Sequence, residues 1–212
     1  MKFVSLIPAR GGSKEVPLKN IKPLNGHPLI HYTIRASLNS RVTDTFVSTD
    51  CEKIKKAAAE SGATIIDRPP SLATDESPSE EALLHFAQSL DFDYLVFIQA
   101  TSPLLESRHI DEGIDLITDG KADSVFSATL GHWIPTWSQD LTPLNWDTKD
   151  RPRRQDKEPY YTENGAFYIT SRASLLESGL RYSGKLKIVE MPLSKSFQID
   201  TLDDFNLVEK LL

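Results

Sequence analysis

The chain has 212 residues, of which 39% are hydrophobic and 25% charged, and a formal net charge of −6 at pH 7. That length suits one domain with a substantial core, so residues 1–212 are expected to form a single domain, and the acidic balance argues against wholesale nucleic-acid binding. No apolar run approaches the roughly 18 residues of a membrane span, and the lone Cys51 excludes an internal disulfide and a thiolate metal site; together with the lack of a secretory h-region ahead of Arg10, this implies a cytoplasmic location.

Apolar runs predict strands over Phe3–Ile7, Thr45–Ser48, Ala63–Ile66, Tyr94–Ile98 and Ser124–Ala128, with amphipathic helices between them. The first helix is expected to start at Pro28 and bury Leu29, Ile30, Ile34 and Leu38, and the second to cover Glu52–Ser61 and stop at Gly62. Ser77-Pro78-Ser79-Glu80 has the form of a capping box opening a helix to about Leu90. A fourth helix carries Ile110, Ile114 and Ile117 and stops at Gly120. This βαβ rhythm predicts an α/β fold: a mostly parallel sheet, helices on both faces, right-handed crossovers, and ligands gathered beyond the carboxyl ends of the strands.

The rhythm breaks over residues 130–160, which hold Trp133, Trp137 and Trp146 among prolines and are expected to form an irregular insertion or extended hairpin. Its aromatics suit a protein interface or a local mini-core beneath a long loop about equally. A strand over Ala166–Thr170, a helix near Ala173–Glu177, a strand over Leu186–Met191 and a closing helix from Leu202 complete the pattern.

Two stretches suggest chemistry directly. In Leu6-Ile7-Pro8-Ala9-Arg10-Gly11-Gly12-Ser13-Lys14, an apolar strand runs into a turn whose glycines allow close backbone approach and unusual φ values. Arg10 can clamp phosphate oxygens with a planar fork, Lys14 adds a mobile charge and Lys19 a third cation. Read alone, such a turn is also a common solvated connection, and it matches neither GxGxxG nor GxxxxGK[ST]. Near the other end, Asp200 leaves an extended segment, where its carboxylate could hold Mg²⁺; alternatively Asp200 or Thr201 caps the last helix.

Taken as a whole, Ile7–Ile21 resembles the I-P-A-R-x-G-S-K-x-x-P-x-K-N-I signature of the acylneuraminate (CMP-sialic acid) cytidylyltransferases, departing from it at Glu15-Val16. The stretch from Ile199 to Phe205 resembles that family's C-terminal motif, whose aspartate binds magnesium. Gln198 stands where many sialic acid members have a second aspartate, which leaves Asp200 as the sole expected protein ligand. Arg68-Pro69 with Leu72-Ala73, Asp75 and Ser77 looks like a segment that holds cytidine, although Arg68 by itself reads as a surface salt bridge. Gln99–Leu104 is similar to Q-x-T-S-P-L, with Gln99 facing the sugar. Arg154-Gln155 and Asn164-Gly165-Ala166-Phe167-Tyr168 resemble acceptor-binding elements in which Arg154 pairs with a sugar carboxylate. Arg181 and Tyr182 fall where sialic acid enzymes carry adjacent aromatics near the acyl group.

The resemblance implies a Rossmann-like, three-layer nucleotidyltransferase fold with an inserted dimerisation element, a homodimer, and CMP transfer from CTP to an acidic keto-sugar with Mg²⁺. It assigns catalysis to Arg10, Lys14 and Asp200, and nucleotide binding to Ala9, Gly11, Gly12, Ser13, Lys19, Asn20, Arg68 and Ser77. Sugar binding falls to Gln99, Arg154, Gln155, Asn164 and Tyr168. No histidine stands out as a general base. Rival readings are a same-fold enzyme with another acceptor, and a catalytically silent nucleotide-binding protein.

Overall fold

In a computed structural model describing residues 1–212, strand β1 (Phe3–Pro8) lies inside a seven-stranded sheet and is buried along nearly its whole length. A strand covered on both faces must be apolar throughout, which is why it reads as a continuous hydrophobic run. A short hairpin follows, formed by β2 (Pro23–Leu24) and β3 (His27–Pro28) around Asn25-Gly26, both at positive φ. That dipeptide suits a two-residue hairpin turn.

The chain continues through α1 (Leu29–Leu38), β4 (Asp44–Thr49), α2 (Glu52–Glu60), β5 (Thr64–Asp67), α3 (Ser79–Ser89), β6 (Tyr94–Ile98) and α4 (Ser107–Thr118). It ends with β7 (Ser124–Gly131), β8 (Tyr160–Ser171), α5 (Arg172–Ser178), β9 (Leu186–Glu190) and α6 (Leu202–Glu209). The strand order is β5-β4-β1-β6-β8-β7-β9, with only β8 antiparallel to its neighbours. The sheet is thus mostly parallel, as expected.

Helices cover both faces. Ile30 and Ile34 of α1, Ile54 of α2 and Ile110, Ile114 and Ile117 of α4 pack on Ile7, Val47 and Val96. On the other face Leu83 and Phe86 of α3 and Leu175 of α5 pack on Leu6, Phe46 and Leu95. A third cluster joins Val16, Leu24, Leu29 and Leu104 to Ile199, Phe205 and Val208, and it brings the two ends of the chain together.

Several boundaries differ from the sequence reading. Pro28 caps α1 instead of entering it, and Leu38, at the end of that helix, is exposed. The Ser77 box does not form: α3 opens after Pro78 with no side-chain cap, and the Ser77 hydroxyl meets Thr74 Oγ1 at 2.9 Å. Strand β8 starts at Tyr160 because Tyr160–Glu163 pair with the extended end of β7, across a shift in register between Phe126 and Ala128. Between them, the tryptophan-rich stretch holds only two isolated bridges, Trp137 with Pro143 and Asp147 with Asp150. The Trp137 and Trp146 rings meet edge-on at 5.0 Å and Arg151 lies over Trp146, yet Trp137 stays 46% exposed. The stretch therefore has a small aromatic cluster of its own and also an open apolar face. No helix is long and apolar enough to cross a membrane.

Candidate nucleotide and acceptor site

A cavity of about 450 Å³ opens beyond the carboxyl ends of β1 and β6, where a parallel sheet gathers ligands. Arg10, Ser13, Lys14, Lys19 and Asn20 line it from the loop after β1, and Gln198 and Asp200 from the segment before α6. Leu18, at φ 51°, turns the loop back so that Lys19 enters a short 3₁₀ turn, and Asn20, buried, donates to the Arg10 carbonyl at 3.3 Å.

Asp75 gathers the loop cations. Its carboxylate lies 3.0 Å from Arg10 and 3.0 Å from Lys14, while Arg10 also donates to the Thr74 carbonyl. Lys14, and then Arg10, hold the Asp75 carboxyl below the usual range. Cations grouped around one carboxylate can instead receive phosphate oxygens. The sequence reading named Asp75 within a motif but assigned it no role.

Arg68 is buried rather than at the surface, which corrects the salt-bridge reading. Its Nη2 donates to the Ser48 carbonyl at 2.5 Å, its Nε has no partner, and no carboxylate pairs with it. Burial lowers its pKa from the ordinary arginine value, with Asp50 opposing that shift and Arg10 adding to it. A buried guanidinium with an unused donor at a cavity wall is suited to a polar or anionic ligand. Ser77 lines the same wall.

Ala9, Gly11 and Gly12 do not line the cavity. Ala9 is buried and donates to the Ser48 carbonyl at 2.9 Å, and the Gly11 amide is taken by Asp50 Oδ1 at 3.0 Å. Neither glycine adopts positive φ. At Gly11 a Cβ would come within 3.0 Å of the Cys51 Cβ, so its small size serves packing against α2, and Gly12 faces open space.

The capping alternative for Asp200 is also settled by geometry. Thr201 and Asp204 form the capping box of α6, with Asp204 Oδ2 accepting from the amides of Thr201 at 2.7 Å and Asp200 at 2.9 Å. The Asp200 side chain takes no part in the cap and meets Lys19 Nζ at 2.8 Å. The proposed phosphate loop and the proposed metal ligand therefore touch.

A second cavity of about 430 Å³ shares Gln99 and Gln198 with the first and is lined further by Glu163, Asn164, Gly165 and Tyr168. Tyr168 donates to Glu163 at 2.9 Å, and burial, reinforced by that carboxylate, pushes its hydroxyl up to about 12. Arg181 does not line either cavity. It lies behind the wall, 5.0 Å from the Tyr168 ring and 5.4 Å from that of Phe97, and pairs with Glu80 at 2.6 Å.

Asn164 braces the wall through its Oδ1 and one of its two amide N–H groups. Its Oδ1 accepts from Ser127 Oγ at 2.6 Å and the Ala166 amide at 3.2 Å, and its Nδ2 donates to Ser196 Oγ at 2.9 Å. Asn164 nevertheless lines both the second cavity and the larger groove, so the bracing adds to its expected place on the acceptor side. Arg154 stands on the rim of a third, larger groove of about 880 Å³ that also reaches Asn164 and Ser196. Gln155 lines none of the three, so the single chain does not bring it to the others. Glu163 and Ser196 were missed as site residues, and neither stands out in the chain without the fold.

A family profile described as cytidylyltransferase matches residues 4–211. N-acylneuraminate cytidylyltransferase A of Danio rerio is 40% identical over 215 residues, 97% of this chain and 50% of its own length. The N-acylneuraminate cytidylyltransferase of Streptococcus agalactiae serotype V is 35% identical over 214 residues, 97% of this chain and 52% of its own. The chain thus spans about half the length of the curated relatives it matches. Among solved structures, CMP:2-keto-3-deoxy-manno-octonic acid synthetase complexed with CTP superposes with a TM-score of 0.77 at 18% identity, covering 100% of this chain and 98% of that one. A 4-diphosphocytidyl-2C-methyl-D-erythritol synthase from Anaerococcus prevotii gives 0.70 at 12% identity, with 99% and 95% covered. These last two likenesses concern the fold; with the family match over nearly the whole sequence, the chain belongs to the cytidylyltransferases.

Proposed function

We propose that this chain transfers CMP from CTP to the anomeric hydroxyl of a sialic-type 2-keto-3-deoxy sugar acid, releasing pyrophosphate. The observation that carries the reading is the contact of Lys19 with Asp200 in a cation-lined cavity that adjoins a polar one through Gln99 and Gln198. It is supported by the curated relatives named N-acylneuraminate cytidylyltransferase.

In this reading the sugar hydroxyl attacks the α-phosphorus in line, and a new P–O bond forms as the bond to pyrophosphate breaks. Arg10 and Lys14 exchange Asp75 for phosphate oxygens and stabilise the charge moving onto the departing group. Arg68, Ser13, Asn20 and Ser77 hold the nucleotide, and Gln99 faces the acceptor. Arg154 supplies positive charge toward the sugar carboxylate.

Asp200 fits Mg²⁺ as a cofactor: it is a cavity-facing carboxylate free of the helix cap, and the chain has no cluster of three acidic, histidine or cysteine ligands. An ion of this kind binds through one or two carboxylates, waters and substrate phosphates, and would supply charge neutralisation there. A homodimer is proposed from the open face of the tryptophan-rich stretch, where Ile134, Leu141 and Leu144 are 63, 75 and 66% exposed. A cytoplasmic setting follows from the nucleotide co-substrate.

Pyrophosphate release with CTP, Mg²⁺ and a panel of acceptors tests the reading. Turnover is expected with a nine-carbon keto-sugar acid. Turnover only with a polyol phosphate, or nucleotide binding without turnover across the panel, overturns it.

A further inference from the structure

Gln198 sits where the two cavities meet, and its carboxamide is committed to the protein. Its Nε2 lies 2.8 Å from Gln99 Oε1 and 2.7 Å from the Asn164 carbonyl, with the Ser102 hydroxyl farther off at 3.4 Å. A primary amide has two N–H donors, so the two short contacts use both. The contact also settles the orientation of the neighbouring amide. Gln99 Oε1 is the accepting atom, so the Gln99 Nε2 points away from Gln198, and it has no partner within the chain.

Gly165 adds an independent constraint. It stands at φ +68°, and a Cβ there would lie 2.3 Å from Gln198 Nε2 and 3.0 Å from Gln99 Oε1. This position of β8, on the wall of the second cavity, is thus shaped around the amide pair, and a larger residue would displace it.

We propose that Gln198 is a positioning residue for acceptor recognition: by donating to Gln99 Oε1 and the Asn164 carbonyl, it fixes the Gln99 amide with its Nε2 donor turned away from Gln198 and free for the acceptor. A freely rotating glutamine could serve a donor or an acceptor on the ligand. A clamped one selects acceptors that present an oxygen lone pair at that point, as a carboxylate or ring hydroxyl does, over those that present only N–H. The proposal rests on the assignment of Gln99 to the acceptor side under the functional reading above.

The test pairs kinetics with a measurement that needs no turnover. Gln198→Leu is expected to raise the sugar KM about tenfold, the size of one neutral hydrogen bond, while the CTP dissociation constant stays within about twofold. Gln99→Leu should do the same. The double variant should be no worse than either single one, because both remove the same interaction. Losses that multiply toward a hundredfold, or an unchanged sugar KM in Gln198→Leu, overturn the proposal.

In the unliganded wild-type protein, the Nε2 protons of Gln198 should exchange with solvent at least about tenfold more slowly than those of Gln99, with signals assigned through bonds in the wild-type protein itself. The reverse order overturns the clamp even if the variants are unstable. Failure of the wild type to form any CMP-sugar would instead remove the functional reading, and the exchange experiment would still decide the orientation of Gln99.

Discussion

Lys19 Nζ and Asp200 Oδ1 are 181 positions apart in sequence and 2.8 Å apart in space. The contact is built by packing rather than by charge: Val16 from the loop and Ile199 and Phe205 from the C-terminal segment share one apolar cluster, and the Ile199 amide donates to the Thr101 carbonyl at 2.9 Å. Asp200 is 65% exposed, so the pair itself adds little stability. Asp200→Asn should therefore shift folding free energy by less than about 1 kcal/mol yet lower turnover on the order of a hundredfold or more. Thermal melts and pyrophosphate release under saturating substrates check both halves, and near-normal turnover would remove Asp200 from the chemistry.

Lys14 is largely exposed and meets only Asp75, so in the proposed reaction it would be free to follow charge onto the leaving group. Lys14→Ala should cost about 2 to 4 kcal/mol of transition-state stabilisation, with a smaller loss of nucleotide affinity. Comparing kcat with the CTP dissociation constant decides this. Equal losses in both would assign Lys14 to ground-state binding.

Asp75 pairs with Arg10 and Lys14, the two cations proposed to take the phosphates, and would compete for them. Exposed pairs are worth about 0.2 to 1 kcal/mol, so Asp75→Asn should tighten binding of CTP by roughly two- to fivefold at low salt. Calorimetric titration measures it. Weaker binding would mean that Asp75 holds the cations in place rather than occupying them.

Arg68 buries charge without a carboxylate, and one of its nitrogens has no partner. Replacing it with a neutral chain of similar length, Arg68→Met, should stabilise the free protein by about 1 kcal/mol and weaken nucleotide binding. Urea unfolding with and without CTP separates the two effects. A destabilised variant would show that the bond to Ser48 outweighs desolvation.

The segment leading to Gln198 and Asp200 is anchored by Lys195, 2.8 Å from Glu106. Lys195, and then Arg108, hold the Glu106 carboxyl at about 2, below its ordinary 4.5. A carboxyl with a depressed folded-state pKa stabilises the fold fully above its ordinary value, and that contribution is lost as pH falls from about 4.5 through about 2. Glu106→Gln should flatten the dependence of melting temperature on pH across that window. An unchanged slope would show that other carboxyls govern acid stability.

The elements themselves were legible in the chain because their signals are local. The apolar run of β1, the helical spacing of Ile110, Ile114 and Ile117, and the stops at Gly62 and Gly120 depend only on neighbours within a few turns. The motifs at Arg10–Asn20 and Ile199–Phe205 were also legible, because each is a continuous run along the backbone. What tertiary structure alone decided are the pairings across the sheet. It set Asp75 between two cations, buried Arg68, turned Gly11 to packing against Cys51, placed Arg181 behind Tyr168 and clamped Gln99 with Gln198. Periodicity determines which face of an element is apolar, but which side chains from distant elements meet depends on the sheet order and on the shared cluster that joins the chain's two ends.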